Sequence, residues 1–158
     1  MKKSQGFTLI EWLLVIILIG IVGATAAPLF SHHEIFQERF FINDLTAMIR
    51  YARTIASMSG CEVKIDYNNA HELTLFQRQG CYGDFSLKVV SPYLMSESKD
   101  YIVNIPSSLA FNANLPIYIA KDGKVYDQFH HWQKTLSLQI KKQQLIIDGT
   151  TGFAYEKL

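Results

Sequence analysis

Gly6-Phe7-Thr8-Leu9-Ile10-Glu11 opens a run that carries no ionisable side chain from Trp12 to Phe30. Those 19 residues come close to the ~20 that a helix needs to cross a hydrocarbon core. Glu11 is the anomaly. A carboxylate carried to the bilayer centre costs on the order of 2.5–3.5 kcal/mol on insertion scales, so this one needs a partner or a shallow depth. Lys2 and Lys3 stand ahead of the run, and basic residues before a hydrophobic helix keep that end cytoplasmic. A cleaved secretion signal is the alternative reading, with Ala24-Thr25-Ala26 as its small-residue cleavage site. It leaves Glu11 unexplained.

Met1-Lys2-Lys3-Ser4-Gln5-Gly6 followed by Phe7-Thr8-Leu9-Ile10-Glu11 resembles the class III leader of type IV pilins and type II secretion pseudopilins. The resemblance implies that a prepilin peptidase cuts after Gly6, that the new amino-terminal Phe7 is N-methylated, and that Glu11 is the fifth mature residue. In that family this Glu complements the amino-terminal charge of a neighbouring subunit during assembly. Trp12 departs from the pattern, where an aliphatic residue is usual; it changes bulk without removing apolarity. Pro28 matches a proline that many type IV pilins carry, where the helix bends or locally melts. By itself Pro28 removes a helical N–H and kinks the helix.

The chain has 158 residues and a formal net charge of +1. With about thirty residues in the apolar segment, the remainder suffices for one domain and not comfortably for two. Removing Lys2 and Lys3 with the leader takes the basic count from 15 to 13, against 14 acidic residues. That balance gives no global attraction for nucleic acid or an anionic surface. Cys61 and Cys81, the two cysteines, lie beyond the apolar run in the part that faces an oxidising compartment, which permits a disulfide. Two buried free thiols are the alternative.

From Ser31 to Ser59, Phe41, Leu45, Met48, Ile49, Ala52, Ile55 and Ala56 recur at three- and four-residue spacing, which predicts an amphipathic helix. If it continues unbroken from Phe7, its 53 residues extend about 80 Å at 1.5 Å per residue. Arg50 and Arg53 fall on its polar side and read as solvated, and Gly60 is a stop signal. Beyond it the period changes to two. Glu62–Tyr67 and Glu72–Phe76 form a hairpin about Asn68–His71. Folding back at that turn brings the segments near Cys61 and Cys81 together. Phe85–Val90, Tyr101–Ile105, Leu115–Ile119, Lys124–Tyr126, Leu136–Ile140, Gln144–Asp148 and Phe153–Tyr155 read as further strands. Lys121-Asp122-Gly123 is a hairpin turn, and Ser91–Asp100 a polar loop containing Met95. The expected fold class is α+β: a long amino-terminal helix packed on an antiparallel sheet, because neither the helix stripe nor the strands can bury their apolar faces alone.

Asp44-Leu45, Arg50 through Ala56 and the late Asp148-Gly149-Thr150-Thr151-Gly152 resemble the FimT/FimU-type minor pilins and H-type pseudopilins. Some FimT-like minor pilins are associated with DNA uptake through a basic Gly-Arg-any-Arg motif near the carboxyl terminus. The matching place here reads Gly152-Phe153-Ala154-Tyr155 and lacks both arginines. Phosphate contacts supply most non-specific affinity, so a DNA site falls to a patch of Lys134, Lys141 and Lys142, with Phe153 and Tyr155 to stack on single strands. His130-His131 and His32-His33 are adjacent pairs, which point to opposite faces of a strand and chelate poorly. No nucleophile elbow, phosphate loop or zinc-protease signature is present.

The expectations are a class III leader over residues 1–6, a transmembrane and filament-core helix over 7–30, and a periplasmic or extracellular head over 31–158, divided into helix 31–59 and sheet 61–158. The resemblance implies a non-enzymatic minor pilin that primes or caps a type IV pilus and serves twitching motility. An H-type minor pseudopilin and a DNA-binding minor pilin for transformation are the alternatives. No cofactor and no metal are expected. The implied partners are major and minor pilins or pseudopilins, the prepilin peptidase, an inner-membrane assembly platform and, before assembly, lipid. Location in the bacterial inner membrane with a periplasmic head, and later in the filament, follows from the same resemblance.

Overall fold

A computed structural model describes residues 8–26, 33–91 and 99–157. The chain divides into two units, Met1–Phe36 and Gln37–Leu158. In the first, α1 runs Leu9–Ala26. Its composition leaves no polar face, and every side chain described from Leu9 to Gly23 is exposed. The large apolar ones range from 44% exposed at Val15 to 82% at Leu9. A helix that is apolar all round belongs in a core or a bilayer. Residues 27–32 lie outside the described part, so the unbroken helix from Phe7 to Ser59 and the kink at Pro28 fall there.

The second unit is organised on α2 (His33–Ser59). Phe41, Leu45, Met48, Ala52 and Ala56, with Ile42 and Ile49 beside them, form its buried stripe, the i, i+3, i+4 pattern of a core-facing helix. Ile55 is only partly buried at the margin of that stripe. The helix ends at Gly60, whose φ of 70° is the left-handed geometry that glycine takes after a last helical turn.

Among the described residues ten strands follow, all paired antiparallel: β1 (Val63–Asn69), β2 (Glu72–Gln77), β3 (Leu87–Lys88), β4 (Ile102–Asn104), β5 (Phe111–Asn112), β6 (Ile117–Ile119), β7 (Val125–Tyr126), β8 (Thr135–Ile140), β9 (Gln143–Asp148) and β10 (Ala154–Lys157). They make two sheets rather than the single one expected. The first has the order β3-β2-β1-β6-β7, with β4 also on β2; the second has the order β10-β9-β8-β5. In the first, Ile65 lies between Leu75 and Ile117, and this row, with Val63, Leu73, Ile119 and Val125, faces inward. In the second, Leu136, Leu138 and Ile140 alternate with exposed residues and join Leu145, Ile147 and Ala154 in the same core as the α2 stripe. Phe111 of β5, a strand the sequence did not foretell, sets its ring edge-on to Phe41 at 5.2 Å.

The sheets meet at a seam. Val125 donates its N–H to the Gly149 carbonyl at 3.0 Å, and Gly149 donates to the Lys134 carbonyl at 2.9 Å. A Cβ at Gly149 would lie 1.5 Å from the Gln133 carbonyl oxygen, so only glycine lets these two backbones approach. The ordered strand near Phe85–Val90 is just Leu87–Lys88, followed by an isolated bridge from Val90 to Asp100. Most of the expected Ser91–Asp100 loop, with Met95, lies outside the described residues.

Candidate functional site

Helix α1 begins with a device that the sequence reading passed over. Thr8 precedes the first helical residue, and its carbonyl accepts the N–H of Glu11 at 3.1 Å and of Trp12 at 3.3 Å. Glu11 reaches back, its Oε2 accepting the Thr8 backbone N–H at 3.3 Å and facing the Thr8 hydroxyl at 3.5 Å. Thr-x-x-Glu at a helix start is the capping-box pattern, in which the glutamate satisfies an N–H that the helix cannot. A negative charge in the first turn also suits the positive end of the helix dipole. Thr8-Leu9-Ile10-Glu11 carried that signal in plain view.

An ionised carboxylate has room for about four hydrogen bonds. Both contacts of Glu11 fall on Oε2, and among the described residues Oε1 takes none. The exposed acid is thus held at the start of α1 with, among the described residues, one oxygen unengaged. Around it lie Leu9, Ile10, Trp12, Leu13 and Leu14, all exposed. Gly6 and Phe7, the cleavage and methylation positions, lie outside the described residues, as does Pro28. The described length of α1, 18 residues, rises about 27 Å at 1.5 Å per residue. Among the described residues no helix is long and apolar enough to cross a membrane.

In the head, a disulfide joins Cys61 to Cys81 across a sequence separation of 20, with Cα atoms 4.7 Å apart. It ties the end of α2 to the short 3-10 turn Gln79–Cys81 after β2. The β1–β2 hairpin supplies the approach, pairing Val63 with Gln77 directly beside the bridge.

The lysine patch does not assemble. Lys134 immediately precedes β8, while Lys141 and Lys142 form the two-residue turn between Ile140 and Gln143. An antiparallel strand rises about 3.4 Å per residue, so β8 holds the lysines at its opposite ends. Lys141 also lies 4.0 Å from the Glu38 carboxylate. Nor is Phe153 a free stacking platform, because the Arg53 guanidinium carbon sits 4.7 Å above its ring. Arg53 is therefore half-buried on an aromatic rather than solvated like Arg50.

His130 and His131 lie in a turn, not a strand. His131 and Phe129 donate their backbone N–H groups to Asp127 Oδ1, each at 2.9 Å. These bonds, first the one from His131, hold the Asp127 carboxyl below its ordinary range. His130 leaves the backbone at a φ of 61°, and its Nε2 sits 3.0 Å from Glu62 Oε1. Its ring is 4.1 Å from that of Tyr118. With Phe85, Phe76, Lys64 and Arg78 this forms an aromatic and cationic layer on the outer face of the first sheet. Among the described residues no His, Cys, Asp and Glu cluster is placed to hold a metal.

Residues 1–27 match the family model described as the prokaryotic N-terminal methylation motif. No curated protein and no solved structure matches the chain. Upstream of an α+β head of type IV pilin-like architecture, this chain carries the methylation motif that is the signature of type IV pilins and pseudopilins, a structural family.

Proposed function

We propose that the chain is a minor pilin of a type IV pilus. It enters the bacterial inner membrane as a single-pass precursor, is cleaved after Gly6 and methylated on Phe7, and moves into the filament, where it primes or caps assembly for pilus biogenesis. The observation that carries this reading is α1: apolar on every side, exposed from Leu9 to Gly23, and bearing one carboxylate in its first turn. A helix apolar all round calls for an apolar surrounding, first lipid and then the α1 helices of neighbouring subunits. In that apolar setting Glu11 complements the amino-terminal charge of a neighbour. Its capping bonds do not compete, because both fall on Oε2 and among the described residues Oε1 takes none.

The magnitude is large. A buried ion pair broken on one side leaves an uncompensated charge that costs about 3–5 kcal/mol, a hundredfold or more in an equilibrium. Glu11→Ala is therefore expected to cut the amount of chain in sheared filaments by about a hundredfold, while the membrane fraction still holds the cleaved form at its usual size. Recovery of Glu11→Ala in filaments at the parent level contradicts the role given to Glu11. Recovery of the parent chain with secretion pseudopilins and not with pili moves it to the H-type pseudopilins. Transformation through direct DNA binding is not favoured, since β8 separates Lys134 from Lys141 and Lys142 and both motif arginines are missing.

A further inference from the structure

The head holds a polar cleft that the assembly role leaves unused. Arg53, Thr54, Ser57 and Met58 lie one helical turn apart near the end of α2 and form one wall; Lys121, Asp122 and Gly123, the turn between β6 and β7, form the other. The cleft is open to solvent on one side and has a volume of about 300 Å³, at the small end of the range for ligand clefts, about 300–1,000 Å³.

Arg53 is built into this place. Its stem passes beside two glycines whose φ values are 84° at Gly123 and 67° at Gly152. A Cβ on Gly152 would sit 3.4 Å from Arg53 Cδ and 2.9 Å from the Gly123 carbonyl oxygen, and one on Gly123 would sit 3.6 Å from Arg53 Nε. The two turns are thus pressed together with the arginine laid along them, and Phe153 supports the guanidinium from one side. A guanidinium on an aromatic face is held in place without a carboxylate. It keeps its N–H fork for a planar or tetrahedral oxyanion, with little side-chain freedom left to lose.

The charge balance of the walls points the same way. Among the described residues no carboxylate pairs with Arg53 or with Lys121. Asp122, the one acid in the lining, is engaged: its Oδ2 is 2.9 Å from Lys124 Nζ, and its Oδ1 accepts the Lys124 backbone N–H at 3.2 Å. The Thr54 hydroxyl donates to the Arg50 carbonyl at 3.0 Å, which leaves the Ser57 hydroxyl as the side-chain donor beside the two cations. Two cations, Arg53 and Lys121, and one already paired acid thus line a cleft with a fixed fork on one wall and an exposed ammonium on the other.

We propose that this cleft binds a phosphate-class oxyanion, with the Arg53 guanidinium making paired hydrogen bonds to it, Lys121 supplying a second positive charge and Ser57 a hydroxyl. The site is independent of the filament role, because it uses only residues of the head and none of α1. The test is a titration of the full-length, isotope-labelled chain in non-ionic detergent with inorganic phosphate, followed by the nuclear magnetic resonance shifts of the Gly123 amide and the Arg53 Nε–H. Sodium chloride at matched ionic strength is the control. Saturable shifts at both groups are expected, absent with chloride. Arg53→Lys, which keeps the charge but loses the fork, is expected to weaken binding about tenfold or more. Lys121→Gln, at an exposed turn position, is expected to weaken it severalfold, as for an exposed charge contact. Parallel titrations with glycerol phosphate and acetate identify the source. Saturation by glycerol phosphate at least as tight as by phosphate assigns a phosphomonoester, weaker saturation assigns the free ion, and acetate binding as tightly as phosphate overturns the phosphate class. Linear shifts that chloride reproduces, or affinity unchanged by Lys121→Gln, overturn the site.

Discussion

α1 and α2 are both helices rich in large apolar residues, and they do opposite things with them. In α2 the apolar residues are gathered on one stripe, and Leu45, Met48, Ile49 and Ala52 are all 1% exposed or less. In α1 they occupy every side, and Leu13, Leu14, Ile17 and Leu18 are all more than 50% exposed. The α2 stripe shares one core with two sheets; within its own unit α1 has no such core. Stability therefore resides in the packed head, and under the proposed function assembly falls to the first turns of the apolar helix.

The same substitution placed in each helix breaks or sharpens that contrast most strongly. Leu45→Ala is expected to cost about 2–5 kcal/mol, the range for truncating a fully buried leucine. Leu14→Ala is expected to stay within about 0.5 kcal/mol, as for an exposed site. Circular dichroism melts of the two variants in non-ionic detergent measure both, and equal losses would show that α1 is part of the same cooperative unit. Next in size is the bridge between Cys61 and Cys81. Its loop restricts the unfolded chain by roughly 3 kcal/mol in the chain-entropy model, so reduction should lower the melting temperature of the head clearly while leaving filament incorporation of surviving protein unchanged.

The smallest expected effect concerns acid. The Thr150 hydroxyl, then the Thr151 hydroxyl and both backbone N–H groups donate to Asp148 Oδ1 and hold its carboxyl down to about 2. The ordinary aspartate value is about 3.9. A group depressed by folding adds stability above its unfolded pKa and loses it as the pH falls through the folded one. The parent head should therefore gain stability over Asp148→Asn at pH 5 and lose that advantage as the pH approaches 2. A difference between the two that does not change with pH would show that these bonds do not depend on the charge.

Much of this was legible because it is local. The α2 stripe, the stop at Gly60, the turn at Lys121-Asp122-Gly123 and the hairpin beside the cysteines each follow from residues a few positions apart. Sheet membership did not, since β6 joins β1 and β8 joins β5 across long stretches of chain, and the Gly149 seam that separates the sheets depends on a close approach to Gln133. β5 was missed because Phe111-Asn112 is too short for a period to register. Arg53 and Phe153 are a hundred positions apart, so their stacking has no sequence signature, whereas the lysines failed as a patch because nearness in sequence hid the length of β8. The capping role of Glu11 is local too, written in the Thr8-Leu9-Ile10-Glu11 spacing.

The central claim is that the apolar helix begins, in the working protein, with Phe7 at its head and Glu11 in its first turn. Intact mass and amino-terminal fragment analysis of the chain purified from membranes or filaments tests it directly. The expected result is a polypeptide that has lost residues 1–6 and carries one added methyl group on Phe7. A chain that retains Met1–Gly6, or one cut after Ala26 so that α1 is gone, contradicts the account.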